Sequence, residues 1–354
     1  MAVFEASPET FFVEEIPAYL PAGEGPHTYL WIEKQGLTTI EAVKRLARAL
    51  LAQERDLGYA GMKDRHATTR QWVSVPSVDP AAALALELPG CKVLEARRHG
   101  NKLRTGHLRG NRFEVVLTEL EEGEAGVLGE RLLALGREGL PNSYGAQRFG
   151  AAGDNVSAGL ELLRGQRRER DFRRRKLLLS AVQSEVFNRA LLRRAASGGL
   201  LRVRGGDVLQ KTGSGGLFVT EDPARDQPRV DAGEIVPTGP MPGSREVEPP
   251  PDSEAWRLES EALAEVGVTR EELAAAGRDL PGARRPVMVK VSLDDGDAGP
   301  PVALDAGRLR LRFSLPPGSY ATVVLQAIAG ATSIAPPGSP VSKPVLTFRV
   351  PAGS

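Results

Sequence analysis

At 354 residues, with 41% hydrophobic and 26% charged content, the chain has the composition of an ordinary soluble globular protein, long enough for two domains and a sizeable core. Its single cysteine, Cys91, excludes an intrachain disulfide and a thiolate metal cluster, while the lack of a long apolar stretch or a signal-peptide pattern leads to the expectation of a cytoplasmic, non-membrane protein. The net charge of +1 excludes a uniformly basic chain, so any polyanion contact has to come from local charge runs.

Thr38-Thr39-Ile40-Glu41 is a capping box that opens a helix, with Ile40, Val43, Ala47 and Leu50 on one face and an end before Gly58. The helix delivers the chain into Gly58 to Val75, where a polar run interrupts two apolar, strand-like stretches. Lys92 to Arg112 then carries seven Lys/Arg against Glu95 alone. Phe113, Val115 and Leu117 alternate with Glu114, Val116 and Thr118, which predicts a strand with one buried face, and a helix follows near Glu124 to Leu135. A second basic run, Arg164 to Lys176, carries eight Lys/Arg against Glu169 and Asp171.

A long helix is predicted over about Lys176 to Ala196, with Leu178, Leu179, Val182, Val186, Phe187, Ala190 and Leu191 inward and Gly198-Gly199 as its stop. From Gly205 to about Gly243 glycine, proline and short β runs such as Gly216 to Thr220 suggest a small β-rich unit, followed by an acidic helix from Asp252 to Ala276. Two strands, Pro286 to Val291 and Arg308 to Leu315, come next; the second alternates Leu309, Leu311, Phe313 and Leu315 with Arg308, Arg310, Arg312 and Ser314. A helix from about Ser319 to Ile328 and a proline-rich surface tail beyond Ala335 complete the chain.

The polar run contains one carboxylate, Asp64, between Lys63 and Arg65. Cationic neighbours can hold an aspartate ionised, so Asp64 suits a nucleophile, a base or a structural ion pair; a solvated hairpin loop is the plainer alternative. Adjacent residues on a strand point to opposite faces, so one of the two cations is expected to reach Asp64. The four histidines lack zincin spacing and cysteine partners, and neither a G-x-x-x-x-G-K-[ST] loop, a placed G-x-G-x-x-G, nor a G-x-S-x-G elbow is present. Chemistry without those groups falls to side chains such as Asp64.

Gly61-Met62-Lys63-Asp64-Arg65-His66-Ala67-Thr68-Thr69-Arg70-Gln71 resembles the G-x-K-D-x-x-A-x-T-x-Q signature of the TruD family of pseudouridine synthases. Ser7 to Glu15 is similar to the family's P-x-[DE]-F-x-V-x-E segment, Lys102-Leu103-Arg104 and Gly110-Asn111-Arg112-Phe113 to its K-L-[RK] and G-N-x-F elements, and Pro141 to Gly150 to P-N-Y-F-G-x-Q-R-F-G. Thr238 to Gly243, Arg284 to Pro286 and Phe313 to Thr322 extend the likeness over nearly the whole chain; Ser143-Tyr144 departs from the usual Tyr-Phe.

The resemblance implies an α+β protein: a catalytic domain with a mixed, mostly antiparallel sheet, interrupted by an α/β insertion (TRUD) domain, with the active site between them. The expected boundaries are 1–140 and 284–354 for the catalytic domain and 141–283 for the insertion. It also implies tRNA as substrate, isomerisation of uridine 13 to pseudouridine, and Asp64 as nucleophile, with no cofactor, metal, membrane or protein partner. Phe11 and Phe113 would line the uracil pocket, Asn111 would hydrogen-bond near the base or the aspartate, and Lys63 and Arg65 would bind substrate or hold Asp64 ionised. Lys102, Arg104 and Arg109, with the Arg164 to Lys176 run, are assigned to the RNA backbone. Core packing for the phenylalanines, a turn role for Asn111 and simple solvation for the cations are the plainer alternatives. A binding-only RNA protein and a carboxylate glycosidase remain competing readings; the latter needs a second acid about 5 to 9.5 Å from the first.

Overall fold

The computed structural model describes residues 1–150, 153–293, 299–330 and 346–349, which divide into two compact units. Met1–Gly139, with residues 290–330 and 346–349, forms the first, and Leu140–Val289 forms the second. The proline-rich tail expected beyond Ala335 lies largely outside the described residues.

The first unit begins with β1 (Ala2–Glu5), β2 (Phe11–Pro17), β3 (His27–Lys34), α1 (Thr39–Ala49), β4 (Gly58–Tyr59) and β5 (Thr68–Pro76). It continues through α2 (Pro80–Leu84), β6 (Glu87–Leu88), β7 (Cys91–His99), β8 (Leu108–Leu117) and α3 (Glu124–Glu138). The second unit opens with β9 (Leu140–Pro141), α4 (Asn155–Leu163), α5 (Phe172–Ala196), β10 (Val208–Lys211) and β11 (Leu217–Val219). It adds α6 (Pro223–Asp231), β12 (Ile235–Met241), α7 (Glu254–Val266), α8 (Arg270–Ala275), β13 (Ala283–Pro286) and β14 (Met288–Val289). The chain re-enters the first unit with β15 (Val302–Asp305), β16 (Arg308–Leu315), α9 (Ala321–Ile328) and β17 (Leu346–Arg349).

The large sheet of the first unit runs β15-β16-β8-β2-β5-β3-β7-β6, with β4 paired to β5. Every neighbour in it is antiparallel except the central pair β2 and β5. That parallel seam divides the sheet into halves. Leu37, Ala42, Val43, Leu46 and Ala47 from α1 and its approach cover Leu30, Ile32, Val73, Val75 and Val93 on one half. On the other half α3 packs on β16 and α9, burying Leu128 and Leu132. The alternation puts the apolar row of each strand under these helices and leaves Glu14, Glu33, Arg70, Glu114, Arg310 and Arg312 on the opposite face, tied by ion pairs.

The second unit carries a four-stranded antiparallel sheet, β11-β10-β12-β13, with α5 against β12, α4 and α7. Because β13 pairs with β12, that strand stays with this unit. All seven inward positions predicted for α5 are buried, but the helix starts earlier, at Phe172, where the Asp171 side chain accepts from the Arg174 N–H at 2.8 Å. The single acidic helix expected over Asp252 to Ala276 is two helices. Gly267 ends α7 in the left-handed region at φ 73°, and a second capping box, Thr269 with Glu272, starts α8. The strand expected over Pro286 to Val291 is likewise broken, into β13 and β14. In α1 the capping box forms, yet Ile40 is 37% exposed and the buried face is Thr39, Ala42, Val43, Leu46 and Ala47. The docked stripe follows positions 39, 42, 43, 46 and 47, which places Ile40 at its edge.

Gly110 of β8 packs tightly on the end of β16: a Cβ there would run into the Leu315 carbonyl oxygen. Gly110→Ala is therefore expected to lower the unfolding free energy by about 1–3 kcal/mol, the usual cost of overpacking. Urea denaturation reads this, and a midpoint equal to that of the parent chain would contradict the close approach.

Candidate functional site

Cross-strand register assembles residues that are far apart in sequence. Lys34, Thr69, Val13, Phe113 and Phe313 form one row across β3, β5, β2, β8 and β16. In the next row Glu15 faces Asn111, which faces Leu315. Directly opposed residues sit with their Cβ atoms roughly 4.5–5.5 Å apart, so these rows are contiguous surfaces beneath the helices. The β4–β5 loop that carries Asp64 is fastened to them.

Four elements hold that loop. From β2, Glu15 takes the Lys63 ammonium at 3.0 Å, with both side chains buried. From α1, the Thr39 hydroxyl accepts from the Lys63 N–H at 2.8 Å and donates to Gln71 at 2.9 Å. From β5, Gln71 donates its amide to the Gly61 carbonyl at 3.1 Å. From the end of β3, Lys34 is fully buried and donates to the carbonyls of Leu37 at 2.6 Å, Asp64 at 2.8 Å and Lys63 at 3.4 Å. Ala67 is buried as well, so much of the loop motif is scaffold.

What the scaffold presents is Asp64, whose side chain is exposed and has no hydrogen bond or ion pair among the described residues. The expectation that Lys63 or Arg65 reaches this carboxylate is corrected. Residues 61–67 form a loop, not a strand, and the buried Lys63 ammonium is neutralised by Glu15 rather than by Asp64. Arg65 turns to Glu41 in the first turn of α1. The Thr38 backbone and hydroxyl, followed by Arg65, hold the Glu41 carboxyl down at about 2. The cation whose charge feels Asp64 is instead Lys34. Burial pushes its ammonium down to about 8, an effect that Asp64 opposes. Desolvation raises the Glu15 carboxyl, with Lys63 and the Trp72 N–H acting against it.

Asn111 is half-buried in β8, and its amide oxygen is buried without a hydrogen-bond partner among the described residues. An orphaned acceptor of this kind costs about 1–3 kcal/mol. Phe11 and Phe113 share its face but are 8% and 5% exposed. Phe113 is flanked by Phe11 at 6.2 Å and Phe313 at 5.6 Å, and Phe4 meets Phe11 edge-on at 5.6 Å. In the free protein these rings are a buried aromatic ladder without an open face. A concavity of about 350 Å³ lined by Phe12, Glu33, Arg70 and Glu114 belongs to the other sheet face, by the same alternation.

Of the expected backbone-binding cations, Arg104 and Arg109 are exposed and without an ion pair among the described residues, whereas Lys102 donates to the Arg55 carbonyl at 2.6 Å. Arg112 is committed to Glu14 at 2.7 Å. Sequence reasoning missed Lys34, Thr39 and Glu15 as supports of the loop. A lysine inside an apolar strand, His27 to Lys34, and a glutamate inside the Phe11 to Glu15 segment were the available signals.

The model of the tRNA pseudouridine synthase D (TruD) family matches residues 2–170 and 171–328. The chain is 44% identical over 333 residues to tRNA pseudouridine synthase D of Anaeromyxobacter dehalogenans, covering 91% of each. It is 38% identical over 390 residues to that of Geobacter sulfurreducens, covering 92% of this chain and 93% of the relative. A crystal structure from Methanosarcina mazei, assigned to the same enzyme, superposes with a TM-score of 0.69 over 92% of each chain at 22% identity, a likeness of fold.

The Glu15–Lys63 pair gives a direct stability test. Lys63→Met alone strands a buried carboxylate and is expected to cost about 3–5 kcal/mol, while replacing both partners by Met recovers most of it. Equal losses in the single and double variants, measured by urea denaturation, would contradict a buried, mutually dependent pair.

Proposed function

The chain belongs to the tRNA pseudouridine synthase D (TruD) family, and on that premise we propose that it isomerises uridine 13 of transfer RNA to pseudouridine, with Asp64 as the nucleophile. The observation that carries this reading is an exposed carboxylate without a partner among the described residues, on a loop fastened from four sides. Isomerisation breaks the N1–C1′ bond, turns the freed uracil and joins C5 to C1′; the C5 proton is lost and N1 gains one. Neither oxidation nor net hydrolysis occurs, so one placed carboxylate suffices in principle.

The target base has to leave its stack to meet Asp64. Asn111 offers an amide oxygen, unpaired among the described residues, that suits the uracil N3–H once the side chain turns outward, and its use would repay the cost of leaving that acceptor unpaired. Phe11 and Phe113 are the buried floor from which Asn111 projects, and Arg104 and Arg109 take backbone phosphates. Lys63 and Arg65 support the loop through Glu15 and Glu41. Glu15 is occupied by Lys63, which leaves it unsuited to be the second acid of a glycosidase.

Asp64→Asn tests the chemistry. Pseudouridine formation on a tRNA transcript, read by carbodiimide labelling, is expected to vanish while tRNA binding stays within about twofold, since the neutral amide keeps the size of the side chain. Retained isomerisation would overturn the assignment.

Lys34 acts through Asp64 as a positioning residue, and its titration separates that role from bulk stability. Above a pH of about 8 its ammonium loses the proton, the grip on the Asp64 carbonyl loosens and the single-turnover rate is expected to fall. Asp64, Lys63, Cys91 and Glu41 are the charged or titratable groups that face it. In the unfolded chain Lys34 keeps its proton to about 10.5, so the unfolded state binds more protons in this window and global stability gains from Lys34 as pH rises. Activity and this contribution to stability thus move in opposite directions. Lys34→Met is expected to lose the alkaline limb along with part of the rate; an unchanged limb in that variant would contradict the role.

A further inference from the structure

The segment 164–177, which spans the α4–α5 turn and the start of α5, carries a charge excess that folding does not use. Of its eight cations, four are paired: Arg164 with Glu272 at 3.2 Å, Arg167 with Glu161 at 3.6 Å, Arg174 with Glu169 at 3.3 Å and Arg175 with Asp279 at 2.7 Å. Arg168, Arg170, Arg173 and Lys176 are exposed and have no ion pair among the described residues. Among them Phe172 is 64% exposed and Leu177 is 44% exposed. Beyond the Asp171 cap, the first turn of α5 contains no acidic residue, although acids are what the helix dipole favours there. Arg164 and Arg175 pin the segment to α8 and its surroundings, and Arg164 also donates to the Gly267 carbonyl, so the cations without an ion pair project from a braced segment.

We propose that residues 164–177 are a second RNA-contact surface, on which Arg168, Arg170, Arg173 and Lys176 take phosphates of the transfer RNA and Phe172 stacks on one of its unpaired bases. The choice of partner rests on the proposed activity; the surface itself rests on charge complementarity and on an aromatic ring held open among cations, the combination that single-stranded nucleic acid requires. Acidic side chains alone would satisfy the cations but would leave the Phe172 ring without a stacking partner. A lipid surface calls for an apolar band broader than Phe172 and Leu177.

The test is fluorescence anisotropy of a labelled tRNA transcript with the full chain over a range of salt. Phe172→Ala is expected to weaken binding about five- to hundredfold, and Phe172→Tyr, which keeps a stacking face, to bind like the parent. Replacing Arg168, Arg170, Arg173 and Lys176 together by Ser is expected to lower the slope of log affinity against log salt by about 3. Thermal melting confirms that each variant folds. If the parent chain binds and isomerises tRNA while the variants keep its affinity and slope, this surface is overturned and the proposed activity stands. If the parent chain neither binds nor isomerises tRNA, the proposed activity fails and this partner fails with it.

Discussion

The proposed nucleophile, a carboxylate on a surface loop, has to be exposed and yet held still, and here two buried lysines reconcile those demands. Lys63 is neutralised by Glu15 from a neighbouring strand; Lys34 has no carboxylate in hydrogen-bond reach among the described residues and instead spends its donors on backbone carbonyls, two of them at Lys63 and Asp64. A buried ammonium without a counter-ion is costly, which is why its proton is held more weakly than usual. That cost is accepted at the one place where it fixes the peptide that carries Asp64.

The sheet makes the clamp possible. Its only parallel neighbours, β2 and β5, lie at the centre, and the loop that precedes β5 therefore ends over the seam between the two helix-covered halves. Glu15, Asn111 and the aromatic ladder reach the same area through register, from segments about 100 residues apart. A shift of one residue in β2 or β8 would send these side chains to the face that holds the ion-paired arginines.

Periodic segments were the readable part of the sequence. The alternation in β16 and the inward face of α5 follow from side-chain geometry and survive in the structure with little change. Helix breaks were harder: Gly267 splits the acidic segment because a left-handed glycine and a new capping box act locally, while the hydrophobic pattern on either side looks continuous. At the site, motif matching singled out Asp64 but misjudged its neighbours. Lys63 seeks Glu15, 48 residues away, and Lys34 seeks carbonyl oxygens, which every residue has and no sequence pattern reveals. The second basic run was half neutralised for a similar reason, since Glu272 and Asp279 lie about 100 residues downstream.

The central claim is that the clamped loop delivers the Asp64 carboxylate to the base. It is tested most directly by the structure of a complex with tRNA bearing 5-fluorouridine at the target position, where the fluorine blocks loss of the C5 proton. The account predicts the flipped base against Asp64, with the Asn111 amide on its edge and Lys34 still bonded to the Asp64 carbonyl. A base seated on the opposite sheet face, beside Arg70 and Glu114, would contradict it.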